Sequence, residues 1–126
     1  MKKDKTRTVL IIEDDNPVRQ FVTWLLELEG FHILQAVDGD EGLRLAREQM
    51  VALVLLDFRL PGRDGWSVLE EIKEDTNLCN IPVIVFTASV DVDSQDKALA
   101  MGAADYLTKP LSAASLRNSI SRILER

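Results

Sequence analysis

The chain has 126 residues, a length that fits one domain, and 46% of them are hydrophobic, which is enough for a substantial core. Its net charge of −6 disfavours a broad nucleic-acid-binding face, and no apolar run is long enough for a signal peptide or a membrane span. The single cysteine, Cys79, cannot form an internal disulfide and favours a reducing compartment. We therefore expect a cytoplasmic protein.

The first predicted strand covers residues 8–12. The helix after it should be capped by Asn16, with Pro17 at its first position, and should end at Gly30. The apolar residues at helical spacing that should form its core face are Val18, Phe21, Val22, Leu25 and Leu28. A second, less continuous strand is predicted over residues 31–36. The core face of the next helix should contain Leu43, Ala46 and Met50.

The third strand, residues 53–56, and the fourth, residues 82–86, are nearly continuous apolar runs, which is typical of strands buried on both sides. Between them, residues 61–65 form a turn cluster and residues 75–80 a loop. The helix between these two segments should bury Trp66, Leu69 and Ile72.

A weakly patterned fourth helix is predicted over about residues 92–101, and a short fifth strand over residues 104–107. Ser112 should cap the last helix. The residues predicted to form its core face are Leu116, Ile120, Ile123 and Leu124. Elsewhere, we expect Trp24 and Trp66 to be core or half-buried residues and His32 to be exposed on a strand.

Five strand–helix units in this order predict an α/β fold with a parallel sheet and helices on both faces. Right-handed crossovers with a reversal beside strand one give the strand order 2-1-3-4-5, a flavodoxin-like, doubly wound arrangement. Ligands of such sheets bind at the carboxyl ends of the strands, at the switch point next to strand one.

Polar side chains follow four of the predicted strands at that edge. The acidic run 13–15 follows the first strand, Asp57 the third, Thr87 the fourth, and Lys109 comes just after the fifth. Oxygen ligands without histidine or cysteine favour Mg²⁺, or alternatively Mn²⁺, over zinc. A carboxylate can also attack phosphorus and form an aspartyl phosphate, helped by groups that neutralise the phosphoryl oxygens. Each feature alone has an ordinary structural explanation, such as a helix cap or a surface turn, but their combination favours phosphoryl chemistry.

This combination resembles the receiver domain of two-component response regulators, and in size the single-domain chemotaxis type. The residues that carry the resemblance are Glu13-Asp14, Asp57 with Pro61 and Gly65, Thr87-Ala88, Tyr106 and Lys109-Pro110. The resemblance covers essentially the whole chain. We therefore expect one receiver domain over residues 1–126, with its core at about 7–125.

The resemblance implies that Asp57 accepts a phosphoryl group from a histidine kinase or a histidine phosphotransfer protein. It implies a Mg²⁺ site made by Asp14, Asp57 and the backbone carbonyl of Arg59, with Glu13 acting through water. In the family, the positions of Arg59 and Ser89 tune dephosphorylation. The chain would promote its own phosphorylation and dephosphorylation, and we expect no separate enzymatic turnover.

The resemblance also implies a switch. Lys109 would contact the phosphoryl group, followed by Pro110 as a structural residue of the site. The small Ala88 would leave room for the group beside Thr87. Thr87 and Tyr106 would then change the surface of helix four, strand five and helix five for a downstream protein target. We expect neither direct nucleic-acid binding nor membrane insertion.

The acidic run leaves two registers open, because either Glu13-Asp14 or Asp14-Asp15 could be the functional pair. We favour Glu13-Asp14, with Asp15 as a solvated flank, because the helix must start at Asn16 and Pro17. With Asp14 as the direct ligand, Arg19 also falls where the family often has a basic residue. Asp14 belongs to the pair in either register.

Three other functions compete with phosphorylation-dependent signalling. A receiver-like interaction module regulated without phosphate would not need Asp57, Lys109 and Thr87 together. An aspartyl-phosphate hydrolase would need its nucleophile just after strand one, with a second aspartate two residues on, and run 13–15 lacks that spacing. A flavin-binding protein would need a phosphate loop rich in Ser, Thr and Gly at that place. The start at Met1 favours a separate protein or the N-terminus of one, with a relay intermediate or a hybrid-kinase receiver as alternatives.

Overall fold

The computed structural model describes residues 7–88 and 92–124. The strands are β1 (Thr8–Ile12), β2 (His32–Ala36), β3 (Leu53–Asp57), β4 (Val83–Thr87) and β5 (Asp105–Thr108). The helices are α1 (Asn16–Leu28), α2 (Gly39–Glu48), α3 (Gly65–Glu74), α4 (Val92–Ala100) and α5 (Ala113–Leu124). The strands pair in parallel in the order 2-1-3-4-5, which confirms the predicted topology.

The sheet separates two apolar cores. Alternate residues of a strand point to opposite faces, so Leu10 and Ile12 face one core while Val9 and Ile11 face the other. The first core is completed by residues of α2, α3 and α4, and the second by residues of α1 and α5. Strands β3 and β4 are buried along their whole length, in agreement with their continuous apolar sequences.

The cap of α1 differs from the prediction by one residue. Asp15, and not Asn16, caps the helix, and its side chain accepts a hydrogen bond from the amide of Val18 at 3.2 Å. Asn16 and Pro17 are the first two helical residues. Pro17 is tolerated there because amides of the first turn need no helical acceptor. Asp15 is thus exposed, as predicted, but has a structural role.

The buried face of α1 also differs from the prediction. Phe21 and Leu28 are exposed, Leu26 is buried, and Trp24 is 58% exposed, so its prediction as a core or half-buried residue was wrong. The helix buries one stripe against the sheet and α5, and the apolar residues of its outer side lie outside that stripe. The rings of Phe21 and Trp24 lie together on this outer side, with centroids 6.5 Å apart.

The structure also corrects the predictions for Met50, for Gly65 and for the ends of three strands. Met50 is 93% exposed, because α2 ends at Glu48 and the chain becomes extended at Gln49. Gly65 does not belong to the preceding turn but begins α3, which is capped by Asp64. Strands β3, β4 and β5 each end one residue later than predicted, so the polar residues Asp57, Thr87 and Thr108 are their last members.

The remaining elements follow the predictions closely. Ser112 caps α5 by accepting a hydrogen bond from the amide of Ser115 at 3.0 Å. His32 is exposed on β2, and Trp66 is half-buried. Within the two described ranges, no helix has the length and apolar character that crossing a membrane requires.

Candidate functional site

Three carboxylates meet at the carboxyl edge of the central strands. Because Ile12 of β1 pairs with Leu56 of β3, the following residues Glu13 and Asp57 lie side by side. Glu13, Asp57 and Asp14 each offer a carboxylate oxygen, and these oxygens all lie within 4.8 Å of one another. Glu13 and Asp57 are buried, whereas Asp14 is exposed. These are three acidic side chains that the sequence predicted to meet at this edge, and their oxygens suit a hard divalent cation.

The ammonium group of Lys109 joins two of these acids. Its Nζ atom lies 2.6 Å from Oε1 of Glu13 and 3.3 Å from Oδ2 of Asp57. The main chain of Lys109 is fixed as well, because its amide donates to the carbonyl of Thr87 at 2.9 Å. The end of β4 therefore determines where the lysine reaches into the site.

Each buried carboxylate also accepts a main-chain hydrogen bond on its other oxygen. Oδ1 of Asp57 accepts from the amide of Arg59 at 3.1 Å, and Oε2 of Glu13 accepts from the amide of Asp15 at 3.0 Å. Such bonds fix the orientation of a carboxylate and stabilise its charged form.

Burial and pairing have opposite effects on the ionisable groups. Burial raises the pKa of Glu13 above its usual value, although the hydrogen bond from Lys109 opposes this. Burial lowers the pKa of Lys109, but its bonds with Glu13 and Asp57 outweigh burial, so the net pKa is raised. The lysine is therefore cationic at neutral pH. The cluster thus contains three carboxyl groups and a single ammonium group, a composition that suits binding of a divalent cation.

The other predicted residues surround this cluster. Thr87 is buried at the end of β4, and Ala88 follows it in an exposed bend. Thr87 pairs in register with Thr108, the residue before Lys109. Tyr106 is buried in the core below α4 and pairs in register with Val85, so its ring already points inward in this structure.

The predicted peripheral residues have weaker ties to the site. Arg59 is exposed, and only its amide contacts Asp57. Pro110 is exposed and joined to Lys109 by a cis peptide bond. Ser89 lies outside the described residues.

Two contacts near the site were not predicted from the sequence. Arg19 is buried on α1 and donates to the carbonyl of Glu13. Its position three residues before Val22 on the buried stripe was the available signal. Beside Asp57, the rings of Phe58 and Trp66 have centroids 4.2 Å apart, and Nζ of Lys97 lies 4.5 Å from the Trp66 ring. This contact joins α3 to α4, and no sequence pattern indicated it.

Residues 9–121 match the family model for the response regulator receiver domain. The chain belongs to this family. It is 34% identical over 120 residues to the phosphate regulon transcriptional regulatory protein PhoB of Escherichia coli strain K12, an alignment that covers 95% of the chain and 52% of PhoB. The chain thus spans about half the length of the curated relatives it matches.

Solved receiver structures share the fold. The receiver domain of the Francisella response regulator 1452 has a TM-score of 0.88 and 30% identity, covering 96% of this chain and 98% of that one. The receiver domain of the sensor histidine kinase PA1611 from Pseudomonas aeruginosa PAO1 has a TM-score of 0.88 and 29% identity, covering 97% and 100%. In that structure a magnesium ion is coordinated in the active site cleft.

Proposed function

We propose that Asp57 accepts a phosphoryl group from a sensor histidine kinase or a histidine phosphotransfer protein, and that this modification regulates binding of a downstream protein. One observation carries the proposal. The buried Asp57 carboxylate ends β3 within 4.8 Å of the oxygens of Glu13 and Asp14, and Nζ of Lys109 lies 3.3 Å from it. Phosphoryl transfer to a protein requires a nucleophile and a nearby cation that offsets the charge of the phosphoryl oxygens. The Asp57 carboxylate and the Lys109 ammonium group can fill these two roles.

The transfer itself exchanges one bond to phosphorus for another. An oxygen of Asp57 bonds to the phosphorus of the phosphohistidine while the phosphorus–nitrogen bond breaks. The imidazole nitrogen leaves with the electron pair and is neutralised by a proton from solvent. Lys109 contacts an oxygen of the moving group and offsets its charge. Hydrolysis later returns the carboxylate, with water attacking phosphorus.

The proposal includes a Mg²⁺ site, with Mn²⁺ as an alternative. Asp14, Asp57 and the backbone carbonyl of Arg59 would hold the ion, and Glu13 would act through water. The fit rests on the donor set, which is made only of oxygens and brings three carboxyl groups within 4.8 Å of one another beside a single ammonium group. When bound, the ion neutralises charge on the phosphoryl oxygens. Magnesium in the active site cleft of the PA1611 receiver supports the same chemistry here.

The output of the switch would be the surface of α4, β5 and α5. A phosphoryl group on Asp57 adds charge and strong acceptor oxygens next to β4. The hydroxyl of Thr87 would donate to them, and the small side chain of Ala88 would leave room. The buried Tyr106 ring suggests that phosphorylation favours one existing arrangement of the ring and α4, as a population shift. Arg59 and Ser89 would influence how long the phosphoryl group persists.

Intact mass measurement after treatment with acetyl phosphate and Mg²⁺ tests this proposal. Wild-type protein should gain the mass of one phosphoryl group, and Asp57→Asn should gain none. Asp64→Asn is the matched control, because Asp64 is an exposed helix cap near the site and should not affect the modification. Asp14→Asn should lower the extent of phosphorylation and its dependence on Mg²⁺.

The same experiment separates the competing functions. A wild-type chain that takes up no phosphoryl group from acetyl phosphate or from phosphohistidine donors would support a phosphate-independent interaction module instead. Equal uptake by wild type and Asp57→Asn would remove Asp57 as the acceptor.

The proposed setting is cytoplasmic, with no direct contact to nucleic acid by this domain.

A further inference from the structure

Arg19 is 8% exposed, yet it lies on α1 close to the acidic cluster. Its guanidinium group donates to three acceptors in three segments of the chain. Nη1 donates to the carbonyl of Glu13 at 2.9 Å, Nε donates to Oε1 of Gln35 on β2 at 2.8 Å, and Nη2 donates to Oδ1 of Asn16. All three acceptors are neutral, and none of the ion pairs of the described residues involves Arg19. A buried cation held in this way leaves the carboxylates of the site free for other partners.

The carbonyl of Glu13 is the most informative of these acceptors. The amide of Glu13 still follows the parallel ladder, since it donates to the carbonyl of Ala36 at 3.0 Å. In such a ladder, the carbonyl would accept from the partner strand beyond that residue. In this register that donor would be the amide of Asp38, but β2 ends at Ala36 and Asp38 caps α2 instead. Arg19 supplies the donor at the point where the sheet stops supplying one.

The bond has a direct geometric consequence for the acids. The carbonyl of Glu13 and the amide of Asp14 belong to one rigid peptide plane. The Glu13 amide fixes one side of Glu13 to β2, and Arg19 fixes the plane on the other side. The two bonds together orient the buried Glu13 side chain towards Lys109 and the exposed Asp14 side chain towards the rim.

We propose that Arg19 is a positioning residue that holds the Glu13–Asp14 peptide in the orientation needed for cation binding. This rests on the proposed Mg²⁺-dependent function. Removing a residue that orients metal ligands through hydrogen bonds typically weakens metal affinity by about 10- to 100-fold. Arg19 acts through the backbone of the ligands, and we therefore expect an effect at the lower end of that range.

The test compares three variants of the whole chain. Arg19→Met keeps much of the side-chain volume and removes every donor. Arg19→Lys keeps a cation and a flexible ammonium group that we expect to donate to the Glu13 carbonyl. Gln35→Ala is the matched control, because it removes the Gln35 contact and leaves the Glu13 contact in place. Calorimetric titration with Mg²⁺ gives the Kd of each protein, and amide NMR spectra without metal report on the Glu13–Asp14 peptide.

Arg19→Met should raise the Mg²⁺ Kd about tenfold and shift or broaden the Asp14 amide signal in metal-free protein. Arg19→Lys should recover most of the affinity, and Gln35→Ala should bind Mg²⁺ like wild type. A loss of affinity in Gln35→Ala as large as that in Arg19→Met would mean that Arg19 only ties α1 to β2, which would overturn the proposal. An unchanged Asp14 signal together with an unchanged Kd in Arg19→Met would also overturn it. Failure of the proposed function is distinguishable, because wild-type protein would then not bind Mg²⁺ while the metal-free spectra would still report on Arg19.

Discussion

Lys109 lies closer to Glu13 than to Asp57, at 2.6 Å compared with 3.3 Å. Its tighter contact is therefore with the acid that is not the proposed phosphoacceptor. Asp57 keeps a longer ion pair and one main-chain hydrogen bond. This leaves the acceptor carboxylate less constrained by the lysine than its neighbour, which suits a group that must form a new bond.

Replacing Lys109 should destabilise the fold at neutral pH. Lys109→Met leaves the buried Glu13 and Asp57 carboxylates without their shared cation, and removing one partner of a buried pair is costly. Because Lys109 is partly exposed, we expect the free energy of unfolding to fall by about 2–3 kcal/mol in urea denaturation. Mg²⁺ should restore part of the loss by replacing the missing charge.

The control for this prediction is Arg44→Met. It breaks an exposed pair with Glu48 on α2 and should cost less than about 0.5 kcal/mol. If Lys109→Met is as stable as wild type without metal, the two carboxylates do not depend on the lysine.

The contact between Lys97 and Trp66 should be detectable by fluorescence. Lys97→Gln removes the cation from the indole face, which should lower the free energy of unfolding by about 0.5–1 kcal/mol. The emission maximum of Trp66 should move to longer wavelength, because the ring gains contact with water. A Trp24→Phe background makes Trp66 the single tryptophan of the protein. Lys97→Arg should retain the emission spectrum of the protein with Lys97. Identical spectra for Lys97→Gln and the protein with Lys97 would argue against the contact.

The free energy of unfolding should depend on pH through Asp105. Burial alone raises its pKa, but hydrogen bonds from Ser119 at 2.6 Å, from the Tyr106 amide and from Arg122 lower it below the usual 3.8. A carboxyl whose pKa is lower in the folded state stabilises the protein above its unfolded pKa, and this stabilisation is lost as pH falls through the folded pKa.

Asp105→Asn removes this dependence. At neutral pH the variant should be about 1–2 kcal/mol less stable than wild type, because charge-assisted bonds become neutral ones. Below about pH 4 the difference should shrink towards zero. Urea denaturation of both proteins at several pH values measures it, and a difference that stays constant down to pH 2 would contradict the assignment.

Thr23 offers a stabilising substitution. Its hydroxyl on α1 is buried and has no hydrogen-bond partner among the described residues. Thr23→Val keeps the shape and removes the unsatisfied group, so the free energy of unfolding should rise by about 1 kcal/mol. Thr76→Val, at an exposed position, should change stability by less than about 0.5 kcal/mol. A destabilised Thr23→Val protein would show that the hydroxyl has a partner.

Much of the fold could be predicted because it depends on local patterns. The five alternating strand–helix units predicted a parallel sheet with its ligand edge, and the apolar runs of β3 and β4 indicated burial on both sides. Because the ends of parallel strands meet at one edge, the sequence also predicted that Asp14, Asp57 and Lys109 lie close together. These predictions needed only the order of residues along the chain.

The remaining features depend on how helices rotate against the sheet. The exposed positions of Phe21, Trp24 and Leu28 follow from which stripe of α1 meets the core, and periodicity alone did not fix that angle. The bond from Arg19 to Glu13 depends on where β2 stops, which is a property of two segments at once. Long-range side-chain contacts of this kind leave little trace in the sequence.

The main-chain bond between Lys109 and Thr87 has a mechanical consequence. The residue proposed to grip the phosphoryl group and the residue proposed to sense it are attached to each other independently of any ligand. A displacement of the Thr87 hydroxyl towards Asp57 would therefore be transmitted to the end of β5 through this main-chain bond. The ends of β4 and β5 would therefore move together. Tyr106 lies on β5, three residues before Lys109, so this coupled movement would reach its backbone directly.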